Sequence, residues 1–239
     1  MLKAVLFDLD GTLLPLDLDP FMQDYFKHLS DHFAHLYEPK AFQGYVWEAT
    51  KAMVKDNRAD KTNEQVFMEA FLPMVNHTQE QLLPMFDHFY STKFNELKHC
   101  TTPTPLAKKV VAAVIEKGYP VVLATNPMFP AIATQARMRW AGIEDLPWEL
   151  VTTYENSHYC KPNPAYFSEI LEKLNVAPSE VLLVGNDTTE DLVASKLGIK
   201  TYLVTDHLID RGDSPFKPDA SGTLEEFYQL AKQGFDGVF

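Results

Sequence analysis

Two carboxylates, Asp8 and Asp10, stand two positions apart where the apolar run Ala-Val-Leu-Phe at 4–7 ends, just ahead of Gly11 and Thr12. Residues two apart in extended chain point to the same side, so the pair shares one reacting centre and its charges repel. Other short apolar runs end in a similar way. Thr125 and Asn126 follow Val-Val-Leu-Ala at 121–124, and Gly185, Asn186, Asp187 and then Asp191 follow Val-Leu-Leu-Val at 181–184. Lys161, in Cys-Lys-Pro-Asn-Pro at 160–164, comes shortly after Leu-Val-Thr-Thr at 150–153.

Four carboxylates gathered at one place call for a hard dication, and Mg2+ takes oxygen ligands while keeping several waters. Such an ion can bridge to a phosphoryl oxygen and offset charge in the transition state. The Thr125 hydroxyl with neighbouring backbone amides, and the Lys161 ammonium, suit the remaining phosphoryl oxygens. Attack of a carboxylate on phosphorus gives an aspartyl-phosphate, and a second carboxyl nearby can protonate the leaving oxygen and then activate water. Taken singly, each member has an ordinary alternative. Asp-Leu-Asp-Gly can be a solvated turn, Thr125 a helix cap, Lys161 an exposed lysine, and Asp187 to Asp191 the acidic first turn of a helix starting near Thr188. Separate alternatives do not explain why all of them arrive at one rim.

That rim follows from the elements. The runs at 4–7, 121–124, 150–153 and 181–184, with Thr-Tyr-Leu-Val at 201–204, are continuous rather than alternating, which suits strands buried on both faces of a parallel sheet. In such a sheet, ligands gather beyond the C-terminal strand ends. Between residue 15 and about 100 no strand-like run occurs, and four helices fit roughly 20–36, 40–56, 63–75 and 79–98. Asp19-Pro20 reads as an N-cap and first helical residue, Thr62 to Gln65 and Thr78 to Gln81 as capping boxes, and Thr104-Pro105 as the start of a further helix. The expected fold is a doubly wound, Rossmann-like α/β core with a parallel sheet over 1–15 and 101–239, carrying an all-helical cap inserted at 16–100.

A chain of 239 residues, 46% of them apolar, can bury such a core. Lys and Arg number 21 against 33 Asp and Glu, a net charge of −12 without a basic block, which argues against nucleic acid or anionic membrane as a partner. Cys100 and Cys160 form neither a disulfide framework nor a CxxC pair, and the N-terminal apolar run is too short for a signal peptide. A cytoplasmic protein, monomer or homodimer, acting on a small-molecule phosphate ester is expected.

These residues resemble the haloacid dehalogenase superfamily, specifically its phosphatases with a helical C1 cap. The family's first motif, DxDG[T/V], is matched by Asp8-Leu9-Asp10-Gly11-Thr12, and its second, a Ser or Thr ending a strand, by Thr125. Its third, a Lys often found as KPxP, is matched by Lys161-Pro162-Asn163-Pro164, and its fourth, DxxxD after a strand, by Asp187 to Asp191. The resemblance implies Asp8 as nucleophile and Mg2+ ligand, and Asp10 as general acid and base that also reaches the metal through its backbone carbonyl. It implies Thr125 and Lys161, with Asn126 beside them, as phosphoryl-binding residues, Asp187 as a metal ligand and Asp191 in its support. Asn186 departs from relatives that run straight from Gly to Asp, leaving the DxxxD spacing intact. The dehalogenase branch usually lacks an acid at the position of Asp10, because halide leaves without a proton. A phosphomutase, another phosphotransferase or a non-catalytic phospho-ligand module on the same fold are the competing readings, and nothing in 15–100 singles out the first.

Within the cap, His28, His32 and His35 fall at the edge of a buried stripe of Phe21, Tyr25, Leu29, Phe33 and Leu36, and read as interfacial or solvent-edge histidines. Trp47, Phe67, Phe71, Phe86, Phe89 and Tyr90 read mostly as bundle core, while Lys51, Lys55 and Arg58 face either substrate or solvent. Arg211-Gly212-Asp213 reads as a chance adhesion-motif lookalike.

Overall fold

The computed structural model describes residues 2–212, 214–235 and 239. Among these, parallel strands form one sheet in the order β3-β2-β1-β4-β5-β6. They are β1 (Ala4–Phe7), β2 (Val121–Leu123), β3 (Leu150–Val151), β4 (Val181–Gly185), β5 (Lys200–Val204) and β6 (Ala220–Gly222). Central β1 pairs Val5 with Val121 on one side and with Leu182 on the other. Its side chains alternate between two cores. Val5 and Phe7 join residues of α5 (Leu106–Glu116), α6 (Ala131–Ala141) and α8 (Leu224–Gln233), while Ala4 and Leu6 meet Tyr166, Phe167 and Ile170 of α7 (Pro164–Leu174). Burial on both faces is why the run is continuously apolar.

From β1 the chain builds outward to β3, then returns to the other side of β1 as β4. Strand order therefore reverses beside β1, and loops diverging from that point leave a crevice at the C-terminal edge. The run at 150–153 supplies only Leu150–Val151, half-buried at the sheet edge rather than covered on both faces. β6 is an addition to the expected strands: Ala-Ser-Gly has no apolar signature and is held by pairing with Tyr202–Val204 of β5.

The helical segment comprises α1 (Leu18–Phe33), α2 (Pro39–Lys55), α3 (Asn63–Phe71) and α4 (Gln79–Ser91), then a 3-10 stretch over Lys93–Cys100. The first helix starts earlier than expected: Asp17, not Asp19, is the N-cap, accepting from the Asp19 amide at 3.3 Å, and Pro20 lies inside the first turn. It also ends sooner, so Leu36 falls beyond it and is 36% exposed instead of completing the stripe. A capping box forms at Thr62 as expected, while at Thr78 the backbone amide donates to Gln81 Oε1 at 2.9 Å and the Gln81 amide donates to the Thr78 carbonyl rather than its hydroxyl. The third and fourth helices stop short, each followed by 3-10 turns. Thr104 accepts from the Leu106 amide at 3.3 Å where α5 begins.

Stacked Phe33 and Phe42, with centroids 4.6 Å apart, centre the core of the helical segment together with Phe71 and Phe86. Trp47 is not core: it is 49% exposed. Phe67 is half-buried. At the base of the helical segment the outgoing and returning chains pair, Leu16 bridging Thr101 antiparallel and the Thr102 amide donating to the Pro15 carbonyl at 2.9 Å. Phe94 stacks on Trp140 of α6 at 5.4 Å, joining the helical segment to the core.

Candidate active site

Asp8 is the first residue past β1, its amide donating to the Val184 carbonyl at 2.9 Å. Asp8 Oδ1 accepts from Lys161 Nζ at 2.8 Å, and Nζ donates also to Asp191 Oδ1 at 2.6 Å. Asp191 Oδ2 accepts from the Asp187 amide at 3.0 Å. Burial alone would lower Lys161, but Asp191 and Asp8 together raise it well above the ordinary lysine value, so it carries its charge. Burial raises the Asp8 carboxyl against the pull of Lys161, and pushes Asp191 up to about 6. Lys161 is 1% exposed and does not line the cleft above it. Its ammonium is shared between the Asp8 and Asp191 carboxylates, an ion-pair role that its spacing in the sequence did not reveal.

Asp10 lies on the same rim, held by a residue that spacing did not reveal. Arg137 of α6, 1% exposed, donates from Nη1 to Asp10 Oδ2 and from Nη2 to the Thr134 hydroxyl at 3.3 Å. Its guanidinium also rests 4.7 Å from the Phe129 ring centroid. Asp10 Oδ1 is buried and has no hydrogen-bond partner among the described residues. Arg137 sits 127 residues from its partner, in a helix with no amphipathic stripe to single it out.

The loops between these acids are tightly fitted. Gly11 has φ +81°, and a Cβ there would stand 2.2 Å from Asn186 Nδ2. At Gly185 a Cβ would stand 2.3 Å from the Asp191 carboxylate, so only glycine lets Asp191 fold back onto the Asp187 amide. Asn186 accepts from the Thr12 hydroxyl at 3.0 Å and donates to the His207 carbonyl at 2.6 Å, tying three loops together. Thr125 lines the cleft, its carbonyl pinned by the Thr152 and Tyr166 hydroxyls at 2.8 and 3.0 Å. Asn126 lines it too, but its side chain is spent on Lys161 backbone and Glu190, which makes it a loop brace.

Asp187 Oδ1 accepts from the Thr189 and Glu190 amides at 2.8 Å each, and Arg211 Nη1 reaches Oδ2 at 2.7 Å. In place of a helix starting near Thr188, a 3-10 stretch begins at Leu192. Arg211 thus has a task that the chance reading of Arg211-Gly212-Asp213 overlooked; Asp213 lies outside the described residues. Glu190, also unanticipated, is pushed up to about 7, chiefly by burial and then by Asp187 and Asp191, against Lys161. When all are ionised, five carboxylates (Asp8, Asp10, Asp187, Glu190, Asp191) face three cations (Lys161, Arg137, Arg211), leaving two negative charges at the floor. Hard oxygen donors with that excess fit a divalent cation.

A cleft of about 850 Å3 opens above, with Phe21, Met22, Trp47, Thr50, Lys51 and Lys55 contributed by α1 and α2. Lys51 and Lys55 therefore face it, whereas Arg58 is engaged with Asp56 and Glu69. The three histidines are not brought together: His28 bonds the Asp24 carbonyl, His32 the Met85 carbonyl and His35 the His32 carbonyl.

Residues 2–198 match the family model of haloacid dehalogenase-like hydrolases. The chain belongs to that family. As a member, this hydrolase is 25% identical over 210 residues to a phosphoglycolate phosphatase of Vibrio vulnificus, covering 85% of this chain and 84% of that one. Its fold is similar to that of a HAD phosphatase from Thermococcus onnurineus, with TM-score 0.58 and 20% identity over 96% of this chain and 97% of the other. It is equally similar, TM-score 0.58 at 18% identity over 97% and 99%, to the L-2-haloacid dehalogenase of Xanthobacter autotrophicus. Fold likeness spans both chemistries, so the residues must decide between them. Among the described residues, no helix is long and apolar enough to cross a membrane.

Proposed function

We propose that this hydrolase is a Mg2+-dependent phosphatase of small phosphate monoesters, working through phospho-Asp8 with Asp10 as general acid and base. The observation that carries this is the unequal support of two neighbouring carboxylates. Asp8 is aimed by the buried ammonium of Lys161, while Asp10 is gripped through one oxygen by Arg137 and keeps the other unpartnered among the described residues. The Asp8 carboxylate attacks phosphorus, the bond to the ester oxygen breaks, and Asp10 gives its proton to that oxygen. Asp10 then takes a proton from water, which attacks the phosphorus of phospho-Asp8, releasing phosphate and restoring the carboxylate. Thr125, at the end of β2, supplies a hydroxyl to the phosphoryl group. The Asp8 carboxylate, the Asp10 backbone carbonyl and Asp187 would hold Mg2+, which would offset negative charge on the phosphoryl group.

A halide needs no proton, so an acid at position 10 favours ester hydrolysis over dehalogenation. The phosphatase name of the Vibrio relative supports the same choice. Helices 1 and 2 close over the cleft as its cap and contact the alcohol part of the substrate. The deciding experiment is phosphate release from a broad panel of phosphorylated metabolites by the full chain with Mg2+. Turnover is expected on some of them, abolished by EDTA and restored by Mg2+. Absence of release from every member, or turnover at the wild-type rate in Asp8→Asn, overturns the reading.

A further inference from the structure

Outside the cleft, three side chains of different chemistry converge where the helical segment returns to the core. Asp24 of α1, with His99 and Cys100 at the end of the 3-10 stretch, brings Oδ2, Nε2 and Sγ within 4.8 Å of one another. Oδ2 to Nε2 is 3.0 Å, Nε2 to Sγ 3.4 Å and Oδ2 to Sγ 3.6 Å. Around a tetrahedral zinc ion, with Zn–S about 2.3 Å and Zn–N and Zn–O about 2.0–2.2 Å, the same separations come to about 3.4, 3.6 and 3.6 Å. The three atoms already outline one face of that tetrahedron.

The imidazole is set for the purpose. His99 Nδ1 lies 2.7 Å from the Glu96 carbonyl, which can only accept, so Nδ1 carries its hydrogen. Nε2 then presents a lone pair to the Asp24 carboxylate, an arrangement that repels unless a cation sits between them. A proton on Nε2 makes this an ion pair, and the Cys100 thiol donates to the same Asp24 oxygen; one metal ion can replace both protons and take all three donor atoms at once. Donation from Nδ1 to a backbone carbonyl is the outer contact that orients metal-bound histidines. A sulfur, nitrogen and oxygen donor set selects a borderline ion over Mg2+.

We propose that Asp24, His99 and Cys100 form a Zn2+ site, completed by water, that ties the first cap helix to the chain returning to the core. The next residue, Thr101, is the one bridged to Leu16, so the ion would sit beside the connection between the two parts. Binding displaces the Cys100 thiol proton.

Titration of the metal-free full chain with Co2+ is the test, because Co2+ at an all-oxygen Mg2+ site gives no thiolate band. One equivalent of Co2+ should raise a sulfur-to-cobalt charge-transfer band with tetrahedral visible bands, and Zn2+ should bleach both. Cys100→Ser should lose the charge-transfer band and Cys160→Ser keep it. His99→Ala and Asp24→Asn should each weaken Zn2+ binding by at least about tenfold. Absence of the band in the wild type, its persistence in Cys100→Ser, or unchanged Zn2+ affinity in the other two variants overturns the site. None of these readouts depends on phosphate release, so the site and the phosphatase reading fail separately.

Discussion

At the sheet edge Asp8, Lys161 and Asp191 are 8%, 1% and 2% exposed, and ion pairs of 2.8 and 2.6 Å bind them together. On the facing wall of the same cleft, Trp47 is 49% exposed and Lys51 bonds its own helix neighbour Glu48. The floor is made of buried charges whose partners come from distant parts of the chain, so moving one strands another. The wall is made of side chains that lean into space and can be exchanged singly. On the proposed function, chemistry falls to the part that cannot shift and choice of leaving group to the part that can.

The sharpest way to break this contrast is Asp8→Asn, which should reduce phosphate release to background while the protein stays folded by circular dichroism. Arg137→Ala should come next. It leaves Asp10 beside an emptied buried site, lowering turnover by about 10²-fold through the misplaced acid and stability by about 3 kcal/mol in denaturant unfolding. Arg137 itself shows what the sequence left hidden. Strand ends announce themselves because a buried apolar run must stop where polar chemistry begins, which made Asp8, Asp10, Thr125 and the 187–191 acids legible as a set. A long-range brace has no such signature: Arg137 is one residue of a helix, and Arg211 one of an irregular stretch. For the same reason Lys161 was readable as a member of the site, but its ion pairs to both Asp8 and Asp191 were not. The doubly wound order was legible from five apolar runs, whereas β6, lacking one, was not. The start of α1 was misplaced because Asp17 and Asp19 are both good caps.

A third prediction separates floor from wall by pH. Glu190 at about 7 and Asp191 at about 6 bind protons more tightly in the folded protein than as free carboxyls. The stability linked to them is fully present below the ordinary carboxylate range and is lost as pH rises through 6 to 7. Metal-free protein should therefore melt several degrees higher at pH 5.5 than at pH 8. Mg2+ should raise the melting temperature more at pH 8, where the floor is most negative; equal shifts at both pH values would contradict the charge count. The smallest effect belongs to the wall. Trp47→Ala should change KM by about tenfold or less among substrates with bulky leaving groups, with kcat on a minimal alkyl phosphate and the melting temperature nearly unmoved.

The bridge between Leu16 and Thr101 has an architectural consequence. Because the insertion begins and ends at the same hydrogen-bonded point, the distance across its base is that between neighbouring strands, however many residues hang beyond it. The sheet therefore carries no record of what is grafted there. A different helical bundle, or a short turn in its place, closes the same gap without altering strand order, provided Trp140 is given a new cover for the face that Phe94 now shields. The strand-end residues are thereby held independently of whatever length of chain is inserted between positions 16 and 101.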